Sequence, residues 1–122
     1  MKFRIDEGLM TKIKIDTLKN GGGTFDIYNK QQATTGYMCS VKDLATVDLQ
    51  DFNFSIIDKI IEENKQLLKR KNIYLGTWID GDKIYIDISK NYKNKYHSLK
   101  IAKKLKQLAI FELNTMTSIY IK

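Results

Sequence analysis

The chain has 122 residues, of which 43% are apolar and 29% are charged, and this is the size and composition of one folded domain rather than of a disordered segment. It contains one cysteine and one histidine, so an internal disulfide and a zinc site of the Cys/His type are both excluded. The net charge of +7 arises in residues 61–122, where thirteen basic side chains outnumber six acidic ones.

The sequence predicts no membrane-spanning segment. No run of about eighteen apolar residues occurs, and the first ten residues, MKFRIDEGLM, include acids where a secretory signal would need an uninterrupted apolar stretch. We therefore expect a cytoplasmic protein with no membrane partner.

The N-terminal region, residues 1–19, is predicted to contain an edge strand. Over Lys12–Thr17 (KIKIDT), Ile13 and Ile15 alternate with polar residues, which is the period of a strand with one wet face. Residues 20–122 would form the body of the same single domain.

Three adjacent glycines, Gly21–Gly23, then precede two short β-type runs, Thr24–Tyr28 and Gly36–Val41. A phosphate-binding loop would need these glycines to lead into a helix, whereas here they lead into strand-like sequence. We expect a turn or bulge in a small meander, with close approach of the backbone to a ligand as the alternative.

A first helix is predicted over Ile56–Arg70. Ser55 and Asp58 have the spacing of a capping box. An apolar stripe that contains Ile57, Ile60 and Ile61 would form its buried face. Asn64 interrupts that stripe and is expected to hydrogen-bond a neighbouring backbone group.

The next segment, YLGTWIDGDKIYIDIS, predicts a β-hairpin with a tight turn at Asp80–Asp82. Alternation places two groups of residues on one sheet face: Leu75, Thr77 and Ile79, and Ile84, Ile86 and Ile88. Trp78 and Tyr85 share the other face, where they are either covered by a helix or offered to a partner.

The C-terminal part predicts a second amphipathic helix, Ser98–Gln107, and two short strands, Ala109–Leu113 and Ser118–Ile121. The element order indicates an α+β fold with a mostly antiparallel sheet and two helices packed on it.

Catalytic and metal-binding patterns are sparse. Cys39 and His97 are the only candidates for a thiol nucleophile and its base, but Cys39 lies in an apolar strand and His97 lies beside lysines. Asp80, Asp82 and Asp87 invite a metal interpretation, yet aspartate is common in turns for local hydrogen-bonding reasons. We predict no catalytic residue, no metal and no cofactor.

The segment SKNYKNKYHSLKIAKKLK, residues 89–106, is the strongest functional signal. Seven lysines and no acid lie between Asp87 and Glu112, and tyrosines are interleaved with them. Ammonium groups neutralise phosphates and tyrosines stack on bases. Arginine is absent from the segment, so bidentate recognition of bases is not expected, and the lysines could equally form a solvated face. The predicted binding residues are Trp78, Lys90, Tyr92, Lys93, Lys95, Tyr96, Lys100, Lys103 and Lys104.

Four segments together resemble a small domain of bacteriophages and other mobile elements: GGGTFDIYNKQQATTGYMCS, DFNFSIIDKIIEENKQLL, YLGTWIDGDKIYIDISKNY and IAKKLKQLAIFEL. The shared pattern is a glycine-led strand pair ending in Thr-Gly-Tyr-Met, a helix, a Gly-x-Trp hairpin ending in Asp-x-Ser, and a Gln-x-Ala-Ile-Phe strand. It covers about Gly21–Ile121 and carries no catalytic signature. The lysine excess of Ile88–Lys106 departs from it.

This resemblance implies an accessory protein that acts on a bacterial host. We therefore expect a stoichiometric, non-catalytic binder of a host defence protein or nucleoprotein complex, of the anti-CRISPR kind. Lys90–Lys106 would meet an acidic surface or the bound nucleic acid, and Tyr92, Tyr96 and Trp78 would provide aromatic anchors. The alternatives are a module that binds DNA or RNA directly and, third, an enzyme that uses Cys39 and His97.

Overall fold

The computed structural model describes residues 5–29 and 33–121. Its elements, in chain order, are α1 (Glu7–Asn20), β1 (Gly22–Phe25), β2 (Tyr37–Asp48), α2 (Phe54–Glu63), α3 (Lys65–Leu68), β3 (Ile73–Asp80), β4 (Lys83–Tyr92), α4 (Lys95–Lys104), β5 (Ala109–Glu112) and β6 (Thr117–Tyr120). The strands form one antiparallel sheet in the order β1-β3-β4-β2-β5-β6. The predicted α+β class and mostly antiparallel sheet are confirmed.

The N-terminal region is helical, so the strand predicted over Lys12–Thr17 is wrong. Met10, Ile13 and Thr17 are buried, and their spacing of three and four residues is that of one helix face. Ile15, which suggested strand alternation, is exposed to solvent. Burial of α1 against the rest of the molecule overrides the local alternation, and the first twenty residues contribute to the same core as the body of the domain.

Gly21, the first of the three adjacent glycines, ends α1. Gly21 has a φ of 80°, in the left-handed region that favours glycine, and its N–H donates to the Thr17 carbonyl at 2.9 Å. Thr17 also lies 2.7 Å from Thr77 of β3, hydroxyl to hydroxyl, which ties the end of α1 to the sheet. The glycines therefore make a chain reversal from α1 into β1, in agreement with the predicted turn.

The predicted meander of the first two strands is wrong. β1 pairs with β3 at the edge of the sheet, whereas β2 lies between β4 and β5, so that β3 and β4 separate it from β1. β2 is also far longer than the predicted run Gly36–Val41, because two register shifts, at Ser40/Lys42 and Asp43/Ala45, let its pairing with β4 continue to Asp48.

The helix predicted over Ile56–Arg70 forms as two pieces, α2 and α3. Asn53 rather than Ser55 caps α2, since its side chain accepts from the Ile56 N–H at 3.0 Å. Asn64 separates the pieces and donates from Nδ2 to the Ile60 carbonyl at 2.8 Å, as expected of a satisfied polar residue. With α1, the described part of the chain has four helices rather than the two that were predicted.

The β3–β4 hairpin is confirmed. Asp80 pairs with Lys83, so Gly81 and Asp82 form the turn, and the φ of 64° at Gly81 meets the requirement of a tight reversal. The cross-strand pairs on the buried face are Leu75 with Ile88, Thr77 with Ile86 and Ile79 with Ile84. The final strand pair and its turn also form near the predicted positions.

The described helices lie on the buried face of the sheet, which we call the helical face. α1 and α2 cover Ile84, Ile86 and Ile88 of β4. α4 covers a second cluster around Cys39 and Ile110. We call the opposite side, which carries Trp78 and Tyr85, the open face.

A candidate binding surface on helix α4

The predicted basic segment occupies the end of β4, a short loop and α4. Asn94 begins the helix, because its side-chain oxygen accepts from the His97 N–H at 2.9 Å. Ser98 and Ala102, four residues apart, are fully buried and hold one side of α4 against the sheet. The opposite side of the helix is thereby directed to solvent.

Four exposed side chains line that outer side. Tyr96, Lys100, Lys103 and Lys104 have the spacing i, i+4, i+7 and i+8, which places them on one helix face. Tyr96 is 78% exposed. The sequence-predicted combination of a phenol with ammonium groups is therefore present on one continuous surface.

The remaining predicted residues lie at the N-terminal end of α4. Lys93 and Lys95 are exposed, whereas Lys90 and Tyr92 are half-buried. Lys90 Nζ lies 5.3 Å from the centre of the Tyr92 ring, a cation–π distance. Tyr92 also packs against the exposed His97, with 5.3 Å between ring centres. Burial raises the pKa of Tyr92, so this residue is a neutral support for the lysines at pH 7.

We call this set the basic surface. It consists of eight residues: Lys90, Tyr92, Lys93, Lys95, Tyr96, Lys100, Lys103 and Lys104.

The basic surface has little internal charge compensation. Within residues 5–29 and 33–121, none of its lysines forms an ion pair. The first turn of α4 contains no acid, so Lys95 adds to the positive end of the helix dipole rather than being balanced there. Lys103 and Lys104 lie in the last turn, where positive charge is favourable. An external anion would therefore stabilise the N-terminal end of α4 more than its C-terminal end.

Trp78 is not part of the basic surface. It pairs with Tyr85 on the open face, whereas Lys90 and Tyr92 follow the alternation of Ile84, Ile86 and Ile88 on the helical face. Tyr92 is also seven residues further along β4 than Tyr85, which corresponds to about 23 Å. Eight of the nine predicted binding residues thus lie in one stretch of the chain, from the end of β4 through α4, and the ninth lies on the open face.

The Cys39 thiol is buried among Ala102, Ile110 and their neighbours. Burial, with a smaller contribution from Asp87, raises its pKa to about 11, so it stays protonated at neutral pH. Its sulfur lies 3.5 Å from the Ser40 carbonyl, and no hydrogen bond joins it to His97 in the part of the chain described. This environment is typical of a packed, unreactive cysteine.

The described residues contain no group of three or more His, Cys, Asp or Glu side chains arranged to hold a metal ion. Asp82 lies in the hairpin turn, and Asp87 lies in the middle of β4 on the open face. No helix in residues 5–29 or 33–121 has the length and apolar character needed to cross a bilayer.

Sequence analysis did not identify Asp43 as a neighbour of Asp87. Asp43 of β2 is its direct cross-strand partner. The sequence could not reveal this pairing because it depends on the two register shifts in β2.

Comparisons of the chain with family models, with curated proteins and with solved structures find no match. The resemblance to a bacteriophage domain therefore stays a prediction from the sequence.

Proposed function

We propose that this chain is a non-catalytic, stoichiometric binding protein whose basic surface docks on the anionic face of a nucleoprotein. The observation that carries the proposal is the outer side of α4, where Tyr96, Lys100, Lys103 and Lys104 are exposed together. Lysines in this arrangement attract a polyanion over several ångströms and speed its encounter with the protein.

The buried side of α4 makes this surface firm. Ser98 Oγ donates to the Lys95 carbonyl at 2.8 Å, and Ala102 packs on Cys39 and Ile110 of the sheet. A rigid support reduces the entropy that the protein loses on binding. Lysine stems still move, so the surface adapts to phosphates without reading a base sequence.

The resemblance to domains of bacteriophages suggests which nucleoprotein is bound. A small accessory protein of such an element would act in the cytoplasm of a bacterial host, and a defence complex that carries nucleic acid presents phosphates to it. Occupying the path of that nucleic acid would inhibit the complex, in the manner of an anti-CRISPR protein. Inhibition by occlusion needs no catalytic group.

A second candidate function is direct binding of free DNA or RNA. The exposure of Tyr96 beside Lys100 favours it, because an exposed tyrosine among lysines can stack on an unpaired base. This function predicts a complex between the purified protein and a short single-stranded DNA. Its apparent affinity should fall steeply between about 50 and 200 mM salt.

The test is a capture experiment from bacterial lysate, with and without nuclease treatment, combined with a gel-shift assay on labelled single-stranded and duplex DNA. The key variant replaces Lys95, Lys100, Lys103 and Lys104 with glutamine, which removes charge without placing acids near the helix end. We expect this variant to lose the nucleoprotein that the unaltered chain captures. Loss of capture after nuclease, together with a direct gel shift, would favour the second candidate.

A matched control replaces four exposed lysines outside the basic surface, Lys12, Lys19, Lys59 and Lys71, with glutamine. It has the same net charge as the key variant, so a general charge effect would weaken both equally. The proposal is contradicted if the key variant captures the same partner as well as the control does.

A further inference from the structure

The open face carries two neighbouring rows of cross-strand residues that the basic surface does not use. The first row runs from Gly22 of β1 through Trp78 and Tyr85 to Thr46 of β2. It is therefore aromatic at its centre.

The second row runs from Thr24 of β1 through Gly76 and Asp87 to Asp43 of β2. It is therefore acidic at one end. The two rows are two residues apart along each of β1, β3 and β4, which corresponds to about 7 Å.

The aromatic row is exposed. Trp78 is 59% and Tyr85 is 41% accessible, and their ring centres lie 5.9 Å apart at 38° between planes. The described helices all pack on the other face, so none covers these rings. Aromatic rings in the open offer a large apolar contact area together with the negative face of their π-system.

The acidic row is electrostatically unfavourable in the free protein. Asp43 and Asp87 are directly opposite each other, an arrangement in which like charges destabilise a strand pair. Neither forms an ion pair with any residue in the described ranges. The Ser89 hydroxyl donates to Asp87 Oδ1 at 2.8 Å, which fixes the carboxylate without neutralising it. A cation bound from outside would remove this repulsion.

Gly76 leaves room for the Asp87 carboxylate to lie across the row. A Cβ at this position would overlap the Asp87 Oδ1 atom. As a result the carboxylate lies over Gly76, and no other side chain of the row stands between it and Thr24.

The chemistry of the two rows selects the occupant. A guanidinium group is planar, stacks on aromatic rings and forms paired hydrogen bonds with carboxylates. An ammonium group matches the charge but not the flat geometry. Phosphates and other anions would be repelled by Asp43 and Asp87. The acidic and aromatic open face is thus complementary to a cationic segment, as the basic surface is to a polyanion.

We propose that the open face binds an arginine-bearing segment of a partner protein, with the guanidinium stacked on Trp78 and Tyr85 and hydrogen-bonded to Asp87, and with Asp43 adding negative charge beside it. This proposal goes beyond the proposed function and uses none of its residues.

Trp78 is the only tryptophan in the chain, so its fluorescence reports directly on this face. The probe is a short peptide of alternating arginine and glycine, with matched peptides in which lysine or citrulline replaces arginine. We expect a saturable change in Trp78 emission with the arginine peptide. Binding of the citrulline peptide should be at least about tenfold weaker, because it lacks the charge that strengthens the hydrogen bonds to carboxylates.

The variant test replaces Asp43 and Asp87 with asparagine, and the control replaces the exposed Asp6 and Asp51, which precede α1 and α2, so that the net charge is altered equally. We expect about tenfold weaker binding of the arginine peptide to the first double variant and little change in the control. Asp43→Asn alone repeats the test at an exposed position if the double variant does not fold.

Three results would overturn the proposal: no saturable change with the arginine peptide, equal binding of the citrulline peptide, or unchanged binding by Asp43→Asn/Asp87→Asn. A change in Trp78 emission on addition of single-stranded DNA, together with loss of the gel shift in the Trp78→Phe variant, would assign the face to nucleic acid instead. Variants of the lysines on α4 should leave peptide binding unchanged, which separates this test from that of the proposed function.

Discussion

The two faces of the sheet are built on the same strands but have opposite physical roles. On the helical face, Ile84, Ile86 and Ile88 are almost completely buried, and their burial stabilises the fold. On the open face, Tyr85 lies between Ile84 and Ile86 in sequence and is 41% exposed. Over Ile84–Ile86, β4 therefore alternates between buried core positions and an exposed position.

The difference extends to charge. The helical face ends in α4, whose outer side is basic, whereas the open face carries Asp43 and Asp87 beside two aromatic rings. Opposite sides of one small domain are thus suited to partners of opposite charge.

The largest expected effect tests the division of β4 into stabilising and exposed positions. Ile88→Ala should lower the free energy of unfolding by about 2–5 kcal/mol, because it removes a fully buried side chain from a packed core. Tyr85→Ala should cost about 1 kcal/mol or less, since only a cross-strand contact is lost. Chemical denaturation of both variants measures the difference. Equal costs would contradict the assignment of the two faces.

A smaller effect is expected at Gly76. Gly76→Ala should destabilise the protein by about 1–3 kcal/mol, because the added methyl group overlaps the Asp87 carboxylate. Adding Asp87→Ala should restore part of this loss, since it removes the atom that the methyl group meets. A denaturation cycle over the two single variants and the double variant measures the coupling. Purely additive costs would show that Gly76 is needed for another reason.

The smallest effect concerns the charge on Asp87. Burial, with an added contribution from Asp43, raises the pKa of Asp87 above its ordinary 3.8, although the Ser89 hydrogen bond opposes the shift. The folded protein therefore binds a proton at Asp87 more tightly than the unfolded chain does. Stability contributed by this group is present below pH 3.8 and is lost as pH rises through the folded pKa.

Asp87→Asn should accordingly raise the free energy of unfolding at pH 7 by roughly 0.5 kcal/mol and leave it unchanged below pH 3.8. Urea denaturation at both pH values checks the sign. Asp82→Asn in the exposed turn removes the same charge and is measured at both pH values as the control. A destabilised Asp87→Asn variant at neutral pH would mean that the carboxylate has a cationic partner in the free protein.

Much of the fold follows from local sequence signals. The β3–β4 hairpin has alternation on both strands and a glycine at the turn, so local preference and burial agree. The N-terminal helix was missed because KIKID also has the period of a strand. The signal that identifies α1 is the spacing of Met10, Ile13 and Thr17, which places these residues on one helix face. The buried position of Thr17 is understood once the sheet is known, because its hydroxyl contacts the hydroxyl of Thr77.

The candidate sites were predictable to different degrees. α4 combines a buried side and a lysine-rich side at helical spacing, which is visible in the sequence. The separation of Trp78 from these lysines was also predictable from the sequence. Trp78 is the cross-strand neighbour of Tyr85, and Tyr85 and Tyr92 differ by an odd number of residues along one strand, which places them on opposite faces. The Asp43–Asp87 pair could not be predicted from the sequence, because two bulges in β2 set its register and no local sequence signal marks these bulges.

Polyanion binding by the basic surface is tested by mapping backbone amide shifts in a ¹⁵N-labelled protein during titration with a short single-stranded DNA, used as a phosphate-bearing probe. We expect shifts concentrated in residues 90–104 that decrease as salt is added, with the hairpin residues Gly76–Asp87 unaffected. Shifts centred on Trp78 and Tyr85, or no shifts at low salt, would contradict the assignment of the basic surface as the site that meets a polyanion.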